Sequence, residues 1–218
     1  MKRDLLKTFE HIPYFTIVGF KQVINADESE NQRVREMLSR WMKKGHIIQL
    51  KRGVYMTRRF YEIHRNDASF APAVSAILLP QSYVSLEYIL QRSGVLTEVT
   101  YPITAITIKN KKKVENIIGT FMYRHIRRLL YEGFRQLDYY GVAYGEASVA
   151  KALFDFLYLR PLPRIVRTHR YHIAEELRLN VDDFSNEEIE EFAYYAEKCN
   201  TAKMDFIFEI LRRTVWRL

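Results

Sequence analysis

SENQRVREMLSRWMKKGHIIQLKRGVYM, running from Ser29 to Met56, is the stretch on which the reading of this chain turns. Ser29-Glu30-Asn31-Gln32 has the form of a capping box, with a hydroxyl at the cap and a Gln three residues on. The spacing predicts a helix from there to about Lys44. Val34, Met37, Leu38 and Trp41 fall on one stripe of it, which suits burial. Gln32, Glu36, Ser39, Arg40 and Lys43 fall opposite, with Arg33 and Arg35 on the flanks. Gly45, free to take positive φ, ends the helix. Two β-prone runs, His46–Leu50 and Val54–Met56, then flank the basic turn Lys51-Arg52-Gly53, the pattern of a small hairpin.

Upstream, Leu5, Leu6, Phe9 and Ile12 recur at helical spacing, so a first helix is expected from about residue 2 to 11, interrupted by Pro13. Phe15–Ile24 reads as a second short helix with Thr16 as its cap, and Asn25–Glu28 as a turn. Three helices followed by a hairpin is the order of a winged helix. In that arrangement the third helix enters the major groove of DNA and the basic hairpin tip reaches phosphate or the minor groove. Asn31, Gln32 and Arg33 are the candidate base contacts. Arg35, Arg40, Lys43, Lys51 and Arg52 are the candidate phosphate contacts. Trp41 is expected to pack in the core against the first two helices.

The charge distribution agrees. The chain has 218 residues and a net charge of +8. Residues 1–60 hold 13 Lys and Arg against 6 Asp and Glu, whereas residues 61–218 hold 21 against 20. The excess positive charge is therefore concentrated in the first quarter, as when a nucleic-acid-binding module precedes a neutral one. A smaller basic cluster stands at Lys109, Lys111, Lys112 and Lys113. The rest of the composition is that of a globular protein, with 48% hydrophobic residues and 28% charged. No run of about 18 apolar residues occurs, so neither a membrane-spanning helix nor a membrane partner is expected. The basic start is interrupted by Asp4 and Glu10 and lacks an apolar run, so no secretory signal is expected. The single cysteine, Cys199, excludes an internal disulfide, and together these features point to the cytoplasm.

Beyond the hairpin, residues 57–80 read as a connector with at most a short helix at Ala73–Leu78, dividing the chain into domains 1–60 and 61–218. Ser82–Leu90 reads as a helix closed by Gly94. Thr104–Ile108, Gly119–Tyr123 and Tyr139–Tyr144 have strand composition, Lys109–Lys113 reads as a charged turn, and Ala147–Tyr158 as a helix ended by Pro161. From Pro163 onward the signals are helical: Arg164–Leu177, then a helix opened by the capping box Ser185-Asn186-Glu187-Glu188, then one capped by Thr201. In the last helix Met204, Phe208, Leu211, Val215 and Leu218 share a stripe, expected either to dock on the core or to form an interface. The fold class expected is α+β, with an N-terminal winged helix followed by a small antiparallel-sheet domain and C-terminal helices.

Three blocks carry a resemblance. They are Arg35–Tyr55, a helix, Lys-Lys-Gly and a hairpin ending Arg-Gly-Val-Tyr; Ser82–Leu90 followed by Gly94; and Ala147–Leu157, with the pattern A-x-x-x-K-A-L-x-D from Ala147 to Asp155. In this order they resemble the AbiEi-type antitoxins of type IV toxin–antitoxin systems and the regulators related to them, best over residues 30–160. The resemblance implies a bacterial winged-helix protein that represses its own operon by binding its own promoter. It also implies a second domain that counters a nucleotidyltransferase-like toxin encoded beside it. The tail after about Arg160 matches that family poorly. A stand-alone regulator, whose second domain dimerises with another copy or senses a ligand, is the alternative.

An enzyme is not expected. Glu146, Lys151 and Asp155 are the residue types of a metal-dependent nuclease. Lys151 and Asp155, however, stand at i and i+4 on one helix, the spacing of an ordinary surface ion pair, and no second carboxylate cluster accompanies them. His169 and His172 lack a third ligand. There is no Gly-rich phosphate loop and no Gly-x-Ser-x-Gly. No metal and no cofactor are expected.

Overall fold

A computed structural model describes residues 2–98, 102–161 and 172–217. The chain is mixed α+β, with a small three-stranded sheet in its first quarter and a six-stranded sheet in the remainder. The first part runs α1 (Lys2–Lys7), β1 (Phe15–Thr16), α2 (Ile17–Val23), a 3-10 turn (Glu28–Glu30), α3 (Asn31–Lys43), β2 (Ile47–Lys51) and β3 (Val54–Thr57). The expected second helix loses its first two residues to a strand. Phe15 pairs with Tyr55 and Thr16 with Val54, while the Thr16 hydroxyl accepts from the Gly19 amide and caps α2. The expected capping box at Ser29 does not form. The carboxylate of Asp27 accepts from both the amide and the hydroxyl of Ser29, so the serine's oxygen turns back to the 3-10 turn and α3 begins at Asn31 without a side-chain cap. An ionised acceptor holds two such donors more strongly than a neutral hydroxyl would hold one amide. Trp41 packs as expected, edge-on to Phe20 at 5.5 Å in a core with Phe9, Phe15, Val34 and Leu38.

The expected connector at 57–80 is mostly helical: α4 (Arg58–His64) is unexpected, and α5 (Phe70–Leu78) contains the short helix expected at Ala73–Leu78 and begins three residues earlier. Helix α5, Phe-Ala-Pro-Ala-Val-Ser-Ala-Ile-Leu, is apolar nearly all round, so its helical periodicity is weak. It lies in the core, and its Pro72 sits in the first turn, where a missing N–H costs nothing. The boundary drawn at residue 60 thus falls inside α4, at Phe60, which is fully buried. The small sheet has two working faces. Ile47 and Tyr55 meet the N-terminal helices, whereas Ile48, Leu50, Val54 and Met56 join the core of the following elements.

That larger core is built on β4 (Ser82–Val84), β5 (Ile103–Thr107), β6 (Lys112–Asn116), β7 (Gly119–His125), β8 (Phe134–Tyr139) and β9 (Val142–Ala147), in the order β6-β7-β5-β4-β9-β8. The sheet is mixed, where the sequence leads one to expect an antiparallel one: β4 runs parallel to β9 and β5 parallel to β7. The reason lies in strands that composition disguises. Ser82–Val84 is a strand before α6 (Glu87–Arg92) rather than part of one helix, and the last two residues of the lysine "turn", Lys112 and Lys113, begin edge strand β6. Tyr139–Tyr144, expected as one strand, straddles a hairpin. Tyr140 and Gly141 both take positive φ, the two-residue turn that joins β8 to β9.

Helix α5 covers one face of this sheet, with the Tyr123 hydroxyl donating to the Ser75 carbonyl. Helix α7 (Val149–Leu159), capped by Ser148, covers the other. Behind it pack α8 (Ile173–Glu176), α9 (Asn186–Cys199) and α10 (Ala202–Leu211), the last continued by a π-helical turn, Arg212–Trp216. The capping box at Ser185 is present and Thr201 caps α10 as expected, whereas most of the expected helix Arg164–Leu177 lies outside the described residues. Among the described residues no helix is long and apolar enough to cross a membrane.

The last helix docks on the core. Met204, Ile207, Ile210 and Leu211 are buried, Trp216 donates its Nε1–H to the Val181 carbonyl, and Phe208 is only half-buried against Phe192 and Trp216. Truncation before Asn200 is therefore expected to unfold the second part of the chain. Ile207→Asp should cost more than Phe208→Asp, and at least the roughly 2–5 kcal/mol of a buried aliphatic truncation. Urea titrations of the three proteins measure this; a truncated chain with a cooperative, unshifted transition would refute the docking.

Candidate nucleic-acid interface

Helix α3 is two-faced for a simple reason: its apolar residues recur every three or four positions. Val34, Leu38 and Trp41 are buried against the N-terminal core. Gln32, Arg33, Arg35, Glu36, Arg40, Lys43 and Lys44 are exposed, and Asn31 is half-buried at the first position. Six of the eight residues proposed from sequence therefore lie on one helix, five of them on its solvent side. The exposed groups are partly tied to one another. Gln32 donates to the Glu36 carboxylate at 2.9 Å, Arg33 pairs with Glu30, and the Arg40 guanidinium donates to the Glu36 carbonyl at 3.4 Å. Such exposed contacts are worth at most about 1 kcal/mol each, so a ligand can replace them. Burial pushes the Tyr55 hydroxyl above the usual tyrosine value, and the nearby Arg35 charge offsets only part of that.

The hairpin tip separates the remaining two candidates. Gly53 takes φ of +76°, and its carbonyl accepts from the Ile17 amide at 2.9 Å, so the tip is tied to the start of α2. Arg52 is exposed at that tip. Lys51 is placed differently from the free phosphate contact expected of it. Its ammonium donates to the carbonyls of Ile77 at 2.6 Å and Leu78 at 3.1 Å, the last two residues of α5. A bulge between Gln49 and Lys51 turns the side chain inward. There it satisfies carbonyls that a helix end leaves without intrahelical donors, at the negative end of the helix dipole. Burial and the nearby Lys112 and Lys109 hold its pKa below the usual lysine value. Lys51→Ala is accordingly expected to lower stability by about 1–3 kcal/mol through the stranded carbonyls, while Arg52→Ala leaves stability within about 0.5 kcal/mol. Paired thermal melts test this; equal effects of the two substitutions would refute it.

The residue types of a nuclease do not converge. Glu146 is nearly buried and accepts from Arg92 at 3.0 Å and Arg135 at 2.8 Å, on the wall of an open cleft also lined by Ile89 and Phe134. Lys151 and Asp155 are not the surface pair that their spacing suggests: both are wholly buried. Asp155 accepts from Lys151, from the Ser85 hydroxyl at 2.8 Å and from the Tyr83 hydroxyl at 3.0 Å, and the Lys151 ammonium lies against the rings of Phe154, Tyr195 and Tyr83. Burial pushes the carboxyl up and the ammonium down, and each opposes that shift in the other. Gly145 makes room for this arrangement, since a Cβ there would lie 2.7 Å from Tyr83 and 2.8 Å from Phe134, whose rings stack beside it. Among the described residues no three His, Cys, Asp or Glu side chains are grouped to hold a metal ion. His169 lies outside those residues. No family model matches the chain, and no curated protein does either.

Proposed function

We propose that the chain is a transcriptional regulator that binds duplex DNA through the exposed face of α3 and the tip of the β2–β3 hairpin. The observation that carries this reading is α3 itself. A helix whose apolar stripe is fixed in a small core holds Gln32, Arg33, Arg35, Arg40 and Lys43 together in solvent, in the chain's most basic quarter. Gln and Arg offer bidentate matches to the edges of adenine and guanine, and the flanking cations suit phosphates. Helix α3 would act as the recognition helix of a winged helix, with Arg52 on the wing.

On the resemblance to AbiEi-type antitoxins, the target is the promoter of the chain's own operon and the second part of the chain counters a nucleotidyltransferase-like toxin. On this reading the protein is cytoplasmic and acts by binding rather than by catalysis. The test is a binding titration of the full chain on its own promoter and on a random duplex of equal length, at two salt concentrations. Tighter binding to the promoter, with affinity falling as salt rises, is expected. No affinity for either duplex at low salt would overturn the proposal.

A further inference from the structure

The lysines of residues 109–113 have no part in the interface just described, yet the fold brings two of them to its edge. Strand β6 is an edge strand, and Lys112 stands opposite Tyr123 of β7. Directly opposed residues share a face of a sheet. Tyr123 points to α5, so Lys112 lies on the α5 side, where Lys51 is fixed at the end of that helix. Beside Lys51, the Leu50 carbonyl accepts from the Asn116 side chain at 3.2 Å, which clamps β6 along the hairpin strand β2. The turn that carries Lys109 and Lys111 is also held. The Lys109 amide donates to the Thr107 hydroxyl at 3.1 Å, and the His125 ring donates to the Lys109 carbonyl at 3.0 Å.

These lysines are exposed. Among the described residues, only Lys113 of the run is in an ion pair, with Glu115, on the opposite face of the strand. Lys109 and Lys112 thus stand close enough to Lys51 for their charges to act on it, and among the described residues none of Lys109, Lys111 and Lys112 is paired with a carboxylate. Lysine on an edge strand also blocks pairing between sheets, which is the competing explanation.

We propose that Lys109, Lys111 and Lys112 extend the DNA-binding surface from Arg52 at the hairpin tip onto the edge of the larger sheet, contacting phosphates of the duplex outside the segment read by α3. This rests on the DNA-binding reading above, and the experiment keeps the two apart. The full chain, the variant Lys109→Ala/Lys111→Ala/Lys112→Ala and the control Lys113→Ala are titrated on the promoter and on a random duplex at two salt concentrations. Thermal melts and sizing accompany each. A matching Lys→Gln triple variant replaces the first if alanine disturbs the strand.

The triple variant is expected to bind both duplexes about tenfold to a hundredfold more weakly at low salt. Its salt slope should be shallower by roughly one unit for each phosphate that is no longer neutralised. Lys113→Ala should change affinity less than about twofold. A triple variant with unchanged affinity and slope overturns this inference alone. So does one that self-associates while binding DNA as before, which would make the lysines edge protection. A wild-type chain that binds neither duplex overturns the DNA-binding reading and this inference with it.

Discussion

Asp155→Ala is expected to destabilise the protein by about 3–5 kcal/mol, the cost of leaving a buried charge without its partner. The environment gives the reason: the Lys151 ammonium sits with no exposure against three aromatic rings, and Asp155 is the carboxylate bonded to it. The same substitution strands the hydroxyls of Tyr83 and Ser85. Tyr83→Phe removes one neutral donor to the carboxylate and should cost only about 1–2 kcal/mol. Replacing both charges, as Lys151→Met with Asp155→Leu, should recover most of the stability, because an apolar pair of similar volume fits an apolar site. Urea unfolding of the four proteins measures these differences. A destabilisation below about 1 kcal/mol for Asp155→Ala would show that the pair is solvated after all.

On the DNA-binding reading, substitutions along α3 should divide into two kinds. Gln32→Ala and Arg33→Ala are expected to cost about 1–3 kcal/mol on the promoter and little on random duplex, since they remove hydrogen bonds to base edges. Replacing Arg35, Arg40 and Lys43 together by Ala should weaken binding to both duplexes and flatten the salt slope by about one unit for each. Because the Gln32 amide and the Arg33 guanidinium already rest on Glu36 and Glu30, Glu36→Ala and Glu30→Ala should tighten binding by a few tenths of a kcal/mol. Equal weakening on both duplexes for Gln32→Ala and Arg33→Ala would assign those residues to the phosphates instead.

The legible parts of the sequence are those where one periodicity runs without competition. Helices α3, α7 and α9 can be read within a few residues, and Trp41 is placed in the core by its position on a stripe. Two sites with the same capping pattern have different outcomes: Ser185 makes its box, whereas Ser29 gives its hydroxyl to Asp27 two residues earlier, a competitor visible in the sequence. Helix α5 is legible only in its later part, Ala73–Leu78, because a helix buried on nearly every side has little polar face to mark its period. Strand β6 escapes a periodicity reading because its lysines alternate with few apolar residues, as an edge strand allows.

The candidate site divides in the same way. Exposure along α3 follows from helical geometry, so Gln32, Arg33, Arg35, Arg40 and Lys43 are legible. What Lys51, Lys151 and Asp155 touch depends on elements 26 to 72 residues away in the chain, and local spacing carries no such information. For Lys151 and Asp155, the i, i+4 rule describes the pair and gives the wrong surroundings.

The two-sided small sheet makes the first quarter of this chain a poor cassette for domain swapping. An excised segment ending near residue 60 would keep the core around Phe20 and Trp41 but would turn Ile48, Leu50, Val54, Met56 and Phe60 out into water as one sticky ribbon. A hybrid chain made by grafting residues 1–60 onto a foreign partner domain would inherit that ribbon without the core that buries it. A splice after Leu78 carries along α5 and with it the carbonyls on which Lys51 rests.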